Sequence, residues 1–279
     1  MKDRIAKMTG RLVAAFLLAA PLCAPALAAD PPSGHSTSSN RLGLKLKPKK
    51  SAAKESDGGG LLAPETELVD APTSAVLDYG GYASRSRFYS QGGLLQYISF
   101  GVFQGLSLGG SLTIDGIIGS DRSVRMRAPN VQLKWRFYDG DGLLPSLAVG
   151  FDGQGFDYNQ TSRRYNERQR GFYLVGTEEL GLAGLQAHPS IAISDTDTNA
   201  FGGALPFSYN IKDKVLIMLE WDNINNFLDS RLNSGFRAYV TPRFSIDFAV
   251  RSIGQGGAFS NGDSRGPERI VQLKYSANF

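Results

Sequence analysis

The chain has 279 residues, of which 42% are hydrophobic and 20% charged, with a formal charge of +4 and one cysteine. A lone cysteine excludes a disulfide framework, and a surplus this small gives no argument for nucleic acid. After the first thirty residues no apolar run reaches the roughly 18 residues of a membrane-spanning helix, so a membrane crossing would have to use strands.

Lys2, Arg4, Lys7 and Arg11 come first, followed by an apolar run from Leu12 to Leu22 and the small-residue site Ala26-Leu27-Ala28. This order predicts a cleaved signal peptide over 1–28 and a mature chain starting near Ala29. Four bases and one acid lie within it, so most of the formal charge leaves with it. Cys23 also falls inside, after Leu22 rather than a small residue, so lipidation is not expected.

Residues 29–72 read as a disordered periplasmic linker, because Pro31-Pro32-Ser33-Gly34 and Gly58-Gly59-Gly60 flank a stretch unable to bury a core. Arg41, Lys45, Lys47, Lys49, Lys50 and Lys54 make its first half basic, a composition that permits contact with anionic cell-wall polymer. The sign then reverses at Glu65, Glu67 and Asp70.

From 73 to 279 the chain alternates with period two, and turn residues mark the breaks. Strands are expected at 74–83, 94–103, 106–115, 127–138, 145–155, 170–178, 186–194, 200–209, 214–222, 233–241, 243–252 and 269–279. The segment Val131-Gln132-Leu133-Lys134-Trp135-Arg136-Phe137 shows the pattern most clearly, with one apolar face and one polar face. Leu216 and Met218 are the main interruption, since they place apolar groups on an otherwise polar face.

Tight connections at Gln104-Gly105, Asp139 to Gly142, Gly181 to Gly184, Lys212-Asp213 and Pro242 alternate with longer breaks. The longer ones are 84–93, 116–126, 156–169, 195–199, 223–232 and 253–268. Strand length, alternation and this rhythm predict an all-β fold, a single antiparallel up-and-down transmembrane barrel of about 12 strands.

Around eight strands already fill a lumen with side chains, so an apolar face turned inward would enclose a void. The apolar face should therefore meet outer-membrane lipid, and a two-sheet sandwich is the structural rival. Aromatic residues at strand ends, Phe103, Tyr138, Phe207, Tyr209, Phe244 and Phe279 on one side and Tyr82, Phe88, Phe156, Phe172 and Phe227 on the other, fit two interfacial girdles.

The inward face should carry Asp78, Asp115, Lys134, Arg136, Asp152, Glu178, Glu220, Asp222, Arg237, Asp247, Arg251 and Lys274. Opposed acids and bases of this kind either line a wet path for small solutes or pair and plug it. The mature histidines are His35 and His188. His188 and Ser190 share a strand face and resemble the base and nucleophile of outer-membrane lipid hydrolases, but no Gly-x-Ser-x-Gly elbow accompanies them. Asp195-Thr196-Asp197-Thr198-Asn199 begins like a calcium loop, but Ala200 stands where glycine is needed.

The last strand, Ile270 to Phe279, resembles the terminal signal of Gram-negative outer-membrane proteins, with Leu273, Tyr275 and Phe279 on its apolar alternates. The resemblance implies recognition by the barrel-assembly machinery. Gly202-Gly203, Leu219 to Asp222, Gly235-Phe236-Arg237 and Tyr239 to Phe244 resemble YjbH-like barrels associated with exopolysaccharide secretion.

The expectation is a narrow outer-membrane pore for small solutes, with the linker and C-terminus periplasmic and with no enzyme activity, cofactor, metal or nucleic-acid partner. An envelope-assembly or exopolysaccharide-associated barrel with a plugged lumen is the alternative, and a lipid hydrolase a remote one.

Overall fold

The computed structural model describes residues 62–119, 123–141, 144–168, 170–195, 200–225, 230–257 and 265–278. The expected signal peptide, most of the linker, Phe279 and residues 196–199 lie outside the described residues.

Twelve antiparallel strands close into one barrel. They are β1 (Gly81–Tyr89), β2 (Gly93–Phe103), β3 (Leu106–Asp115), β4 (Asn130–Tyr138), β5 (Ser146–Asp152) and β6 (Gly171–Glu179). β7 follows in two pieces, Leu185–Ala187 and Ser190–Asp195. The rest are β8 (Ala200–Ile211), β9 (Val215–Asp222), β10 (Arg231–Thr241), β11 (Phe244–Ile253) and β12 (Glu268–Asn278). Each strand pairs with its neighbour in sequence, and β1 pairs with β12 from Gly81↔Asn278 to Tyr89↔Ile270, which closes the ring. β7 is interrupted at His188-Pro189 because proline has no N–H to give the ladder.

The alternation works as expected on β4, where Val131, Leu133, Trp135 and Phe137 face out, Val131 at 64% and Trp135 at 52% exposed, between half-buried polar residues. The first strand differs from expectation. It runs over Gly81–Tyr89 rather than 74–83, and the break after it is only the single 3-10 turn Ser90–Gly92. The connection after β5 also departs from a plain loop, since Gly155–Asn159 and Arg164–Arg168 form a hairpin of their own.

Residues 62–80 account for the displaced first strand. Leu68, Val69, Ala71, Thr73, Ser74, Val76 and Leu77 are buried, so the end of the expected linker is packed inside the barrel. The segment is a looped plug that turns at Leu68–Ala71, where the Leu68 amide donates to the Ala71 carbonyl at 2.9 Å. Both limbs meet the short-turn end of the barrel. Ala63 N–H donates to the Pro242 carbonyl at 3.3 Å and Gly80 N–H to the Gly101 carbonyl at 3.0 Å. The returning limb passes so close to Gly101 that a Cβ there would overlap the Asp78 carbonyl.

The plug also explains the two apolar residues on the polar face of β9. Leu216 and Met218 pack with Ala249 and Ile270 around Leu68 and Val69. Apolar groups inside the wall here have an apolar partner, so no void forms.

Candidate functional site

Register places several charged groups of the wall directly opposite one another. Arg85 of β1 faces Lys274 of β12, and both are buried. Like charges opposed across a ladder destabilise it unless a counter-charge intervenes. The plug supplies that charge: Glu67 pairs with Arg85, and Glu65 pairs with Arg237 and lies 3.2 Å from Lys274. Arg85 also lies over the Tyr97 ring, 3.6 Å from its centroid.

Arg237 holds Asp247 through Nε and Nη2, each at 2.7 Å, a two-donor grip on one carboxylate. Gln272 links this pair to β1, donating to Asp247 at 2.7 Å and accepting from Arg87 Nε at 3.0 Å. Asp70, at the apex of the plug, pairs with Arg87 at 2.6 Å and lies 3.5 Å from Arg251. Arg251 in turn meets Glu268 at 2.5 Å.

Two wall residues grip the main chain of the plug. The Glu220 carboxylate accepts from the amides of Asp70 and Ala71, both at 2.9 Å, and from Asn233 Nδ2 at 2.8 Å. The Lys134 ammonium donates to the carbonyls of Thr66, Thr73 and Ala75 at 2.5, 3.1 and 3.1 Å. Thr177 Oγ1 accepts from the Ser74 amide at 3.0 Å, and Ser107 Oγ from the Leu77 amide at 2.9 Å. An irregular segment can lie in a lumen only if its backbone polar groups find partners, and these wall side chains are partners of that kind.

The opposite, long-loop mouth carries a network of its own. Gln154 Nε2 donates to Ser111 Oγ on the inner face of β3 at 2.7 Å, and Tyr165 OH donates to Gln154 Oε1 at 2.7 Å. Arg127 holds Asp115 with bonds of 2.7 and 2.9 Å, and Tyr89 OH donates to the same carboxylate at 2.6 Å. The hairpin after β5 is thus folded toward the lumen rather than outward.

Of the inward residues expected from sequence, Lys134, Glu220, Arg237, Asp247, Arg251 and Lys274 gather around the plug. Asp222 pairs with Arg170 at 2.7 Å, and Asp152 accepts from Gln132 at 3.2 Å and from the Gln154 amide at 2.9 Å. Asp115 belongs to the long-loop mouth, and Arg136 pairs with Asp139 at 2.8 Å away from the plug. Two placements need correction. Asp78 precedes β1 and is exposed, because the strand begins later than its alternation suggested. Glu178 shares the outward alternates of Phe172 and Leu174 near the end of β6.

Sequence reasoning missed Arg85 and Arg87 on the wall, Arg170 just before β6, and the role of Glu65, Glu67 and Asp70. The alternation Arg85-Ser86-Arg87 was an available signal, hidden by its resemblance to a Ser- and Arg-rich loop. Leu273 and Tyr275 alternate with buried Gln272, Lys274 and Ser276, and so take the outward face of β12.

His188 is 1% exposed and joins three strands, with Nδ1 3.0 Å from Thr177 Oγ1 and Nε2 2.9 Å from Ser208 Oγ. Its hydroxyl partners are thus Thr177 and Ser208, and Ser190 is not placed as its nucleophile. Between the plug and the wall from β3 to β6 lies a cavity of about 70 Å³, bordered by Asp70, Lys134, Asp152, Arg170 and Tyr173.

No protein-family model and no curated protein matches the chain. Among solved structures its backbone is similar to that of the KdgM porin, with TM-score 0.48 and 12% identity over 71% of this chain and 99% of that one. The KdgM porin in complex with disordered oligogalacturonate gives 0.44 and 10% over 71% and 99%. The outer-membrane channel DcaP of Acinetobacter baumannii gives 0.29 and 9% over 71% and 96%. The lumen of this chain is a charged wall whose counter-charges come from the segment that precedes β1.

Proposed function

We propose that the chain is an outer-membrane barrel that serves as a pore for small solutes and is held closed by its own residues 62–78. The membrane reading is supported by the outer wall, where Trp135, Phe172, Phe201, Leu219, Phe236 and Val240 are exposed around a ring whose inner face is charged. A soluble barrel would carry the reverse arrangement. In this reading the short turns, the linker and the C-terminus face the periplasm, and the terminal strand is what the barrel-assembly machinery reads. The basic linker then lies where it can meet cell-wall polymer.

The observation that carries the pore reading is the opposed pair Arg85 and Lys274, buried like charges whose counter-charges belong to the plug. Without Glu65, Glu67 and Asp70 the wall along β1 and β10 to β12 becomes cationic and favours anions. Planar-bilayer recordings of the full-length barrel and of Glu65→Gln/Glu67→Gln/Asp70→Asn test this. The unaltered barrel should stay closed at low voltage, whereas the triple variant should conduct steadily with a reversal potential on the anion side. A correctly refolded triple variant that stayed closed would overturn the gated pore. It would favour a permanently filled structural barrel, a reading supported by the packing of Leu68 and Val69 on Leu216 and Met218.

A further inference from the structure

Arg170 immediately precedes β6, is 4% exposed and borders the 70 Å³ cavity beside the plug. Its Nη1 donates to Asp222 Oδ1 at 2.7 Å. Among the described residues its Nε and Nη2 are buried without a hydrogen-bond partner. Those two atoms form one edge of the guanidinium, with parallel N–H bonds spaced to meet two oxygens of one group.

The same edge is occupied at two other arginines of this lumen. In Arg237 it holds Asp247, and in Arg127 it holds Asp115, with Nε and Nη2 each on one carboxylate oxygen. The acids that border the cavity are already engaged. Asp70 is paired with Arg87, Glu67 with Arg85, and Asp152 accepts from Gln132 and the Gln154 amide. Lys134 has its three protons on plug carbonyls, yet its charge still borders the cavity. A water-sized centre needs roughly 10–15 Å³, so the space accommodates a group of a few heavy atoms.

We infer that the free edge of Arg170 is a binding site for a small oxyanion, a carboxylate or phosphoryl group presenting two oxygens side by side. This gives the proposed pore a solute class, and it rests on the pore reading only for the route by which the anion arrives.

The test is isothermal titration of the full-length refolded barrel with sodium acetate, and separately with inorganic phosphate, at constant chloride. Wild type should bind at least one of the two saturably, and the preferred probe distinguishes carboxylate from phosphoryl recognition. Arg170→Lys keeps a cation opposite Asp222 but lacks the edge, and should bind at least tenfold more weakly. Arg125→Lys, on an exposed side chain, should match wild type. If Arg170→Lys does not refold, judged by heat-modifiable gel mobility, Asp222→Asn should retain binding and Arg170→Gln/Asp222→Asn should lose it. The inference is overturned by absence of saturable binding in wild type, or by wild-type affinity in either Arg170 variant. Binding alongside a closed triple plug variant would remove the pore reading and leave the site standing, and conduction without binding would do the reverse.

Discussion

At the residue scale, the lumen shows how buried charge is tolerated. A carboxylate or guanidinium removed from water needs a partner with good geometry, and Arg237, 0% exposed, has two in Asp247 and Glu65. Glu220 does something different, holding backbone amides as well as the Asn233 side chain. Its replacement by alanine leaves three donors short of an acceptor, at a cost of about 1–3 kcal/mol for each that stays dry. Glu220→Ala should therefore speed hydrogen exchange at the amides of Asp70 and Ala71 while the barrel strands keep their protection. Unchanged exchange there would show that the apex is held by other contacts.

At the scale of elements, the plug is anchored by an apolar contact as well as by charge. Leu68 is fully buried against Met218, so Leu68→Ala should cost about 2–5 kcal/mol. Because the plug is separate from the strand ladder, that loss should appear as brief open-channel events rather than as a lower unfolding midpoint. Much of the wall was legible in sequence, since period two follows from one face meeting an apolar medium and the other a polar one. Val131 to Phe137 reads the same in sequence and in structure. The plug was not legible, because its residues are ordered by long-range partners such as Glu220 and Lys134, which local composition does not register. The first strand was misplaced for the same reason: Val76 and Leu77 are residues a strand would use but are buried by the wall around them. Leu216 and Met218 were visible as an anomaly, and their explanation lay some 150 residues away, at Leu68 and Val69.

At the scale of the whole molecule, the two faces of the wall call for opposite chemistry. Leu133 is 44% exposed on the outer face, and an arginine there should lower stability in lipid vesicles by about 2–4 kcal/mol if the site lies near the bilayer midplane. Denaturant titration of vesicle-refolded Leu133→Arg measures it, and a loss well below that range would place β4 nearer the interface. Closure of the ring depends on the seam where β1 meets β12, the first strand against the last. The plug reaches both sides of that seam, with Glu67 and Asp70 on Arg85 and Arg87 of β1 and Glu65 on Lys274 of β12. Mechanically it is a cross-brace. Prising the seam apart sideways would have to tear those contacts as well as the ladder, so the wall is braced where its first and last strands meet.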